Sequence, residues 1–179
     1  EIKRIFVGSV VVVDEVSHKD IAVHSKIIRA LIKDGDIKIA NELLNKPYKI
    51  KGQAIQGQGL GKKQFVPTIN LNIDGFLLPK EAIYATKTII DNISYNSVSF
   101  IGHRVTTDGK FAVETHILED KINFKSVLEV NFKNNINLMN VPISIEFFSR
   151  IRDNRKFKEY EELKKQILKD IKDTITYFK

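Results

Sequence analysis

Three groups of residues have types and spacings that could do chemistry. Thr68 and Asn70 flank Ile69, and a strand's two-residue period puts them on one face with Ile69 and Leu71 opposite. A hydroxyl and an amide oxygen side by side can coordinate magnesium or hydrogen-bond phosphate oxygens; the same pattern also describes the polar outward face of an edge strand. Gly57, Gly59 and Gly61, followed by Lys62 and Lys63, would expose backbone N–H groups to an anion and add positive charge. This stretch is neither a Walker A loop nor a dinucleotide fingerprint. Only three residues separate Gly57 from Gly61, Lys63 stands where a magnesium-binding Ser/Thr belongs, and Lys62 takes the third glycine position. A flexible turn would read the same way. The third group is Glu114, which shares a strand face with Ala112 and His116. A carboxylate among apolar residues is costly unless solvated, paired or used, and when used it can accept a hydroxyl proton. A solvent-facing glutamate fits that pattern too.

Composition removes other chemistries. The 179 residues contain no cysteine, so disulfides, thiolate nucleophiles and Cys-ligated zinc are excluded together; the four histidines lack metal-ligand spacing. Absence of cysteine fits a reducing cytoplasm, the expected location. With 42% hydrophobic and 28% charged residues, the chain can bury a sizeable core. Apolar runs such as Val10–Val13 are far shorter than the roughly 20 residues of a bilayer span, so no membrane is expected. The net charge is +7, but Lys/Arg alternate with Asp/Glu and no five like charges adjoin. That suits a phosphate-bearing small ligand better than nucleic acid. An RNA-binding barrel would also want clustered aromatic and basic stacking residues, which are missing. The chain opens without Met or an apolar leader, as expected of a fragment of a longer protein.

These residues need elements to position them. Residues 5–16 are β-branched and continuous, which predicts a buried strand of parallel type, orphaned from a larger α/β domain. Ser25 is a plausible N-cap for a helix over 26–33 stopped by Asp34-Gly35. Asp36 could cap a second short helix carrying Ile37, Ala40, Leu43 and Leu44, ended by Pro47. From residue 48 onward, short β-rich runs alternate with turn signals, which suggests a barrel or a sandwich: 48–56, 68–73, 83–90, 93–101, 111–118, 126–132 and 143–148. Asp91-Asn92 and Asp108-Gly109 argue for antiparallel hairpins. Apolar residues from Phe157 to Ile175 at helical spacing predict a helix over 158–175 on the outside of a barrel.

Taken in order, these residues resemble a known family. The series is Gly52-x4-Gly57-x3-Gly61-Lys62, Pro67-Thr68-Ile69-Asn70-Leu71, Leu78-Pro79 with Ile83-Tyr84-Ala85, Ile101-Gly102, Val113-Glu114-Thr115-His116-Ile117-Leu118, and Arg152-x4-Phe157-x5-Leu163-x2-Gln166-Ile167-x2-Asp170. It resembles the riboflavin kinase domain of bacterial bifunctional riboflavin kinase/FAD synthetases, over roughly residues 46–175. Residues 1–45 resemble the end of the FMN adenylyltransferase domain that precedes it, through Ser25, Ile28 and Arg29. The nucleotidyltransferase H-x-G-H motif is absent, so adenylylation is not encoded in this chain.

The resemblance implies a mainly β fold: a six-stranded antiparallel Greek-key barrel with a C-terminal helix over 46–179, preceded by a short α/β remnant and two connector helices over 1–45. It implies transfer of a phosphoryl group from ATP to riboflavin, giving FMN and ADP. Gly57, Gly59, Gly61 and Lys62 would cover the phosphates, Thr68 and Asn70 would hold magnesium and the phosphates, and Glu114 would be the base. Arg152 and Phe157 would border the flavin, and the native protein would carry an adenylyltransferase domain upstream. The sequence also departs from the pattern at Phe65-Val66, Ala82-Ile83 and Val105-Thr106, and residues 119–142 look longer than usual. A flap altered at Phe65 leaves open a non-catalytic flavin- or nucleotide-binding barrel.

Overall fold

The computed structural model describes residues 8–55, 66–118 and 142–179. A minimal hairpin of β1 (Ser17–His18) and β2 (Ile21–Ala22) leads into α1 (Ser25–Asp34) and α2 (Ile37–Leu44). Then come β3 (Tyr48–Ile55), β4 (Ile69–Ile73), β5 (Ala82–Ile90), β6 (Ile93–His103), β7 (Phe111–Ile117), β8 (Pro142–Asp153) and α3 (Tyr160–Tyr177).

Strands β3 to β8 close into a barrel of order β3-β4-β7-β6-β5-β8, every pairing antiparallel. β5, β6 and β7 form a meander, and β8 returns to lie beside β5, which is a Greek key. The expected turns are present. Asp91 and Asn92 both take positive φ, 48° and 63°, the backbone a two-residue hairpin between right-twisted strands requires. Five of the seven expected β runs end within a few residues of a strand; the last extends to Asp153, and 126–132 lies outside the described residues.

Alternation sorts each strand into an inner and an outer face. Ile50, Ile69, Leu71, Ile143, Ile145 and Phe147 fill one side of the interior. The wall formed by β5, β6 and β7 is different: Thr86, Thr88, Ser97, Ser99 and Thr115 are all fully buried. Their hydroxyls bond to one another at 2.7–2.9 Å, so each polar group is satisfied without water. Helix α2 joins this core through Ile37, and Asn41 ties it to the barrel by donating to the Phe147 carbonyl at 2.8 Å and accepting from the Tyr48 N–H at 2.7 Å.

Two expectations at the start of the chain need correcting. Of the strand expected over 5–16, residues 5–7 lie outside the described residues and 8–16 form no strand, with Val11 and Val13 82% and 80% exposed. An apolar run becomes a buried strand only with a sheet to pair with, and among the described residues none lies beside it. Ser25 is the first helical residue rather than the N-cap; His24 holds that position in extended backbone with no side-chain cap, and Asp36 caps α2 by position but without a side-chain bond. Among the described residues no helix is long and apolar enough to cross a membrane.

Candidate active site

The outer faces of β4, β6 and β7 meet the loop 104–110 and helix α3 around a cavity of about 200 Å³. Thr68, Asn70, Glu114, Arg152 and Phe157, all singled out in the sequence, line it together. Gly57, Gly59, Gly61 and Lys62 lie outside the described residues.

Register explains the meeting of the polar groups. Asn70 on β4 is directly opposite Glu114 on β7, and Phe100 on β6 is opposite Glu114 on its other side. Because Ile69, Leu71, Val113 and Thr115 point into the barrel, Asn70 and Glu114 must point out of it, into the cavity. Thr68 precedes β4 by one residue and continues the same face. Thr68 and Asn70 offer a hydroxyl and an amide oxygen side by side, a hard oxygen pair that leaves further positions open. That fits magnesium, which keeps several positions for water and substrate phosphates. Among the described residues no group of three His, Asp or Glu side chains could hold a metal without such help.

Glu114 is 21% exposed, and one of its oxygens, Oε1, accepts from Arg104 Nη1 at 3.1 Å. Burial pushes its carboxyl above the ordinary value, while the Arg104 guanidinium opposes that rise. His116, two residues along the same face, donates from Nδ1 to the Pro67 carbonyl at 2.8 Å. Burial holds this imidazole below its usual range, the carbonyl bond working against it. The two side chains that could serve as base thus share one wall.

The far wall is aromatic and aliphatic. Phe157 is buried, its N–H donates to Thr106 Oγ1 at 3.1 Å, and the Arg155 guanidinium stacks 4.8 Å from its ring centre. Leu163 and Ile167 of α3 complete that side. Arg152 borders the cavity, but its donors are engaged: Nε and Nη2 bond the Asp170 carboxylate at 2.9 and 2.7 Å, and Nη1 bonds the Asp153 carbonyl at 3.0 Å. Gln166 adds a bond to the same carboxylate at 2.8 Å. Arg152 therefore fastens α3 to the end of β8 and holds the wall in place.

Arg104 escaped the sequence reading. It lines this cavity and also a neighbouring one of about 450 Å³, and only Asn70 shares that position. The available signal was its spacing of four from Asp108, in a loop ended by Asp108-Gly109.

With this geometry in hand, comparison with known proteins places the chain. The family model described as riboflavin kinase (flavokinase) matches residues 44–178. A Bacillus subtilis protein named bifunctional riboflavin kinase/FMN adenylyltransferase is 34% identical over 93% of this chain and 50% of its own length. A Haemophilus influenzae protein of the same name is 30% identical over 87% of this chain and 47% of its own. The chain thus spans about half the length of the curated relatives it matches. A solved structure described as a macrolide-efflux protein from Streptococcus pneumoniae superposes with a TM-score of 0.77 at 26% identity, covering 97% of this chain and 53% of that one. The barrel, the cavity wall carrying Thr68, Asn70 and Glu114, and the match over residues 44–178 lead to one conclusion: this chain belongs to the riboflavin kinase family.

Proposed function

We propose that this chain transfers the γ-phosphoryl group of ATP to the ribityl 5′-hydroxyl of riboflavin, giving FMN and ADP. The observation that supports this reading most is the pairing of Asn70 with Glu114 across β4 and β7 on the wall of one cavity, with Thr68 beside them. The hydroxyl proton passes to Glu114 as the new O–P bond forms, the bond from the γ-phosphorus to the bridging oxygen breaks, and ADP leaves. Phosphoryl transfer asks mainly for positioning and charge neutralisation, with a base to orient the nucleophile. A raised carboxyl pKa suits that base, because it brings proton affinity closer to working pH. Thr68 and Asn70 would hold magnesium, which neutralises phosphate charge when bound. The glycine stretch at Gly57, Gly59 and Gly61, with Lys62, would cover the phosphates. The flavin would lie against Phe157, with Arg152 bracing that side through Asp170. The native protein would be cytoplasmic, and it would carry an upstream FMN adenylyltransferase domain; the relatives are named for both activities.

Incubating the chain with ATP, magnesium and riboflavin and separating the flavins chromatographically tests the reading. FMN should form and FAD should not. Glu114→Gln keeps the shape and removes the base, so kcat should fall by about 10²–10⁴-fold while riboflavin still binds. Flavin binding without FMN formation by the parent chain would favour a binding barrel instead. Near-normal turnover by Glu114→Gln with loss in His116→Gln would move the base to His116.

A further inference from the structure

The loop 104–110 carries a cation, Arg104, on the cavity wall. Arg104 Nε and Nη2 donate to the two oxygens of Asp108 at 3.0 Å each, a fork-to-fork pair that fixes the plane of the guanidinium. Asp108 is itself held by the Lys110 N–H at 3.1 Å. Arg104 also closes the loop through its backbone, its carbonyl accepting from Gly109 N–H at 3.1 Å and its N–H donating to the Lys110 carbonyl at 2.9 Å. With two nitrogens committed, the remaining Nη1 points at Glu114 Oε1, 3.1 Å away. Both side chains are largely covered, at 17% and 21% exposure, so the contact is far less screened than a surface pair. Glu114 Oε2 has no partner among the described residues and is not an orphaned buried atom, which leaves it as the oxygen open to the cavity.

We propose that Arg104, locked by Asp108, is the positioning residue of the site: it holds Oε1 of Glu114 and thereby presents Oε2 to the substrate hydroxyl. The proposal rests on the reading of Glu114 as the base. A carboxylate on a flexible stem samples many orientations, and tethering one oxygen to a rigid donor removes most of them before substrate arrives. The same contact opposes the rise that burial imposes on the carboxyl pKa. The other charged or titratable groups facing Glu114 are Asp108 on the loop, His116 on its own strand, and Arg152, Asp170 and Arg155 across the cavity; β4 and β6 offer uncharged side chains there. Lysine could not replace arginine here, since an ammonium lacks the planar fork that binds Asp108 and Glu114 in fixed directions.

The test is a mutant cycle read by kcat across pH. Arg104→Ala should lower kcat about ten- to a hundredfold, the worth of a charged hydrogen bond, and move the acidic limb of the profile to higher pH. Arg104→Lys should restore much of the limb position but little of the rate. Arg104→Ala combined with Glu114→Gln should be no slower than Glu114→Gln alone, because Arg104 acts through that carboxylate. Asp108→Asn, which loosens the fork, supplies the same readouts should Arg104→Ala fail to fold. An additive loss in the double variant would overturn the proposal, as would a rate loss with an unmoved pH limb. If Glu114→Gln alone turned over normally, the base assignment would fail, and the proposal would fall with it for that separate and visible reason.

Discussion

Removing the carboxylate of Asp170 tests whether α3 is held to the barrel as the geometry implies. Asp170 is 3% exposed and accepts three contacts from the Arg152 guanidinium, at 2.9, 3.1 and 2.7 Å, and one from Gln166. In Asp170→Ala, Arg152 loses its counter-charge inside the protein and two of its nitrogens lose their acceptor. Breaking a buried pair this way costs about 3–5 kcal/mol. Arg152 retains 19% exposure and its bond to the Asp153 carbonyl, so the low end, about 3 kcal/mol, applies. For a chain of this size each kcal/mol lowers Tm by roughly 2–4 °C, which gives a drop of about 6–12 °C by circular dichroism melting. Riboflavin affinity, followed by quenching of flavin fluorescence, should fall as well, because Leu163 and Ile167 on α3 line the cavity. Replacing both partners, Arg152→Met with Asp170→Leu, should recover most of the stability, since the cost arises from the stranded charge rather than from the loss of the pair. A Tm drop under about 2 °C for Asp170→Ala would refute the reasoning and reduce the pair to the worth of an exposed one.

Further outcomes follow from the site. Thr68→Ala and Asn70→Ala should each weaken magnesium–nucleotide binding, measured by calorimetry, with Tm within about 2 °C of the parent, since both side chains face the cavity and not the core. The carboxyl pKa of Glu114 is raised on folding, so the stability it contributes is fully present below the ordinary value of 4.5 and lost as pH rises through the folded value. Melting curves should therefore show Glu114→Gln gaining on the parent as pH rises from about 4.5; a constant difference across pH would contradict the shift. Gly102→Ala should cost about 1–3 kcal/mol, because φ there is 143° and an added Cβ would lie 2.8 Å from Glu81 Oε2, the oxygen that accepts the His103 N–H. It should slow turnover too, by displacing Arg104 two residues on.

Local rules made much of the barrel legible. Strand alternation, the hairpin pairs Asp91-Asn92 and Asp108-Gly109 and the helical spacing after Phe157 are signals written within a dozen residues. They placed β3 to β7 and α3 to within a few positions and assigned the faces of Thr68, Asn70 and Glu114. What they could not supply was which faces meet. Asn70 stands opposite Glu114 only because barrel closure seats β4 beside β7, across 44 residues of sequence. The buried hydroxyls of Thr86, Thr88, Ser97, Ser99 and Thr115 find their partners only because three strands bring them within hydrogen-bonding distance of one another. Arg104 and Arg152 show the same limit. A sequence assigns an arginine its charge, but its acceptor, and hence whether it binds ligand, braces a helix or steers a carboxylate, is chosen by tertiary packing. The run at 8–16 fails for the converse reason: β propensity describes a surface that fits a sheet, and with no partner strand among the described residues it specifies no strand.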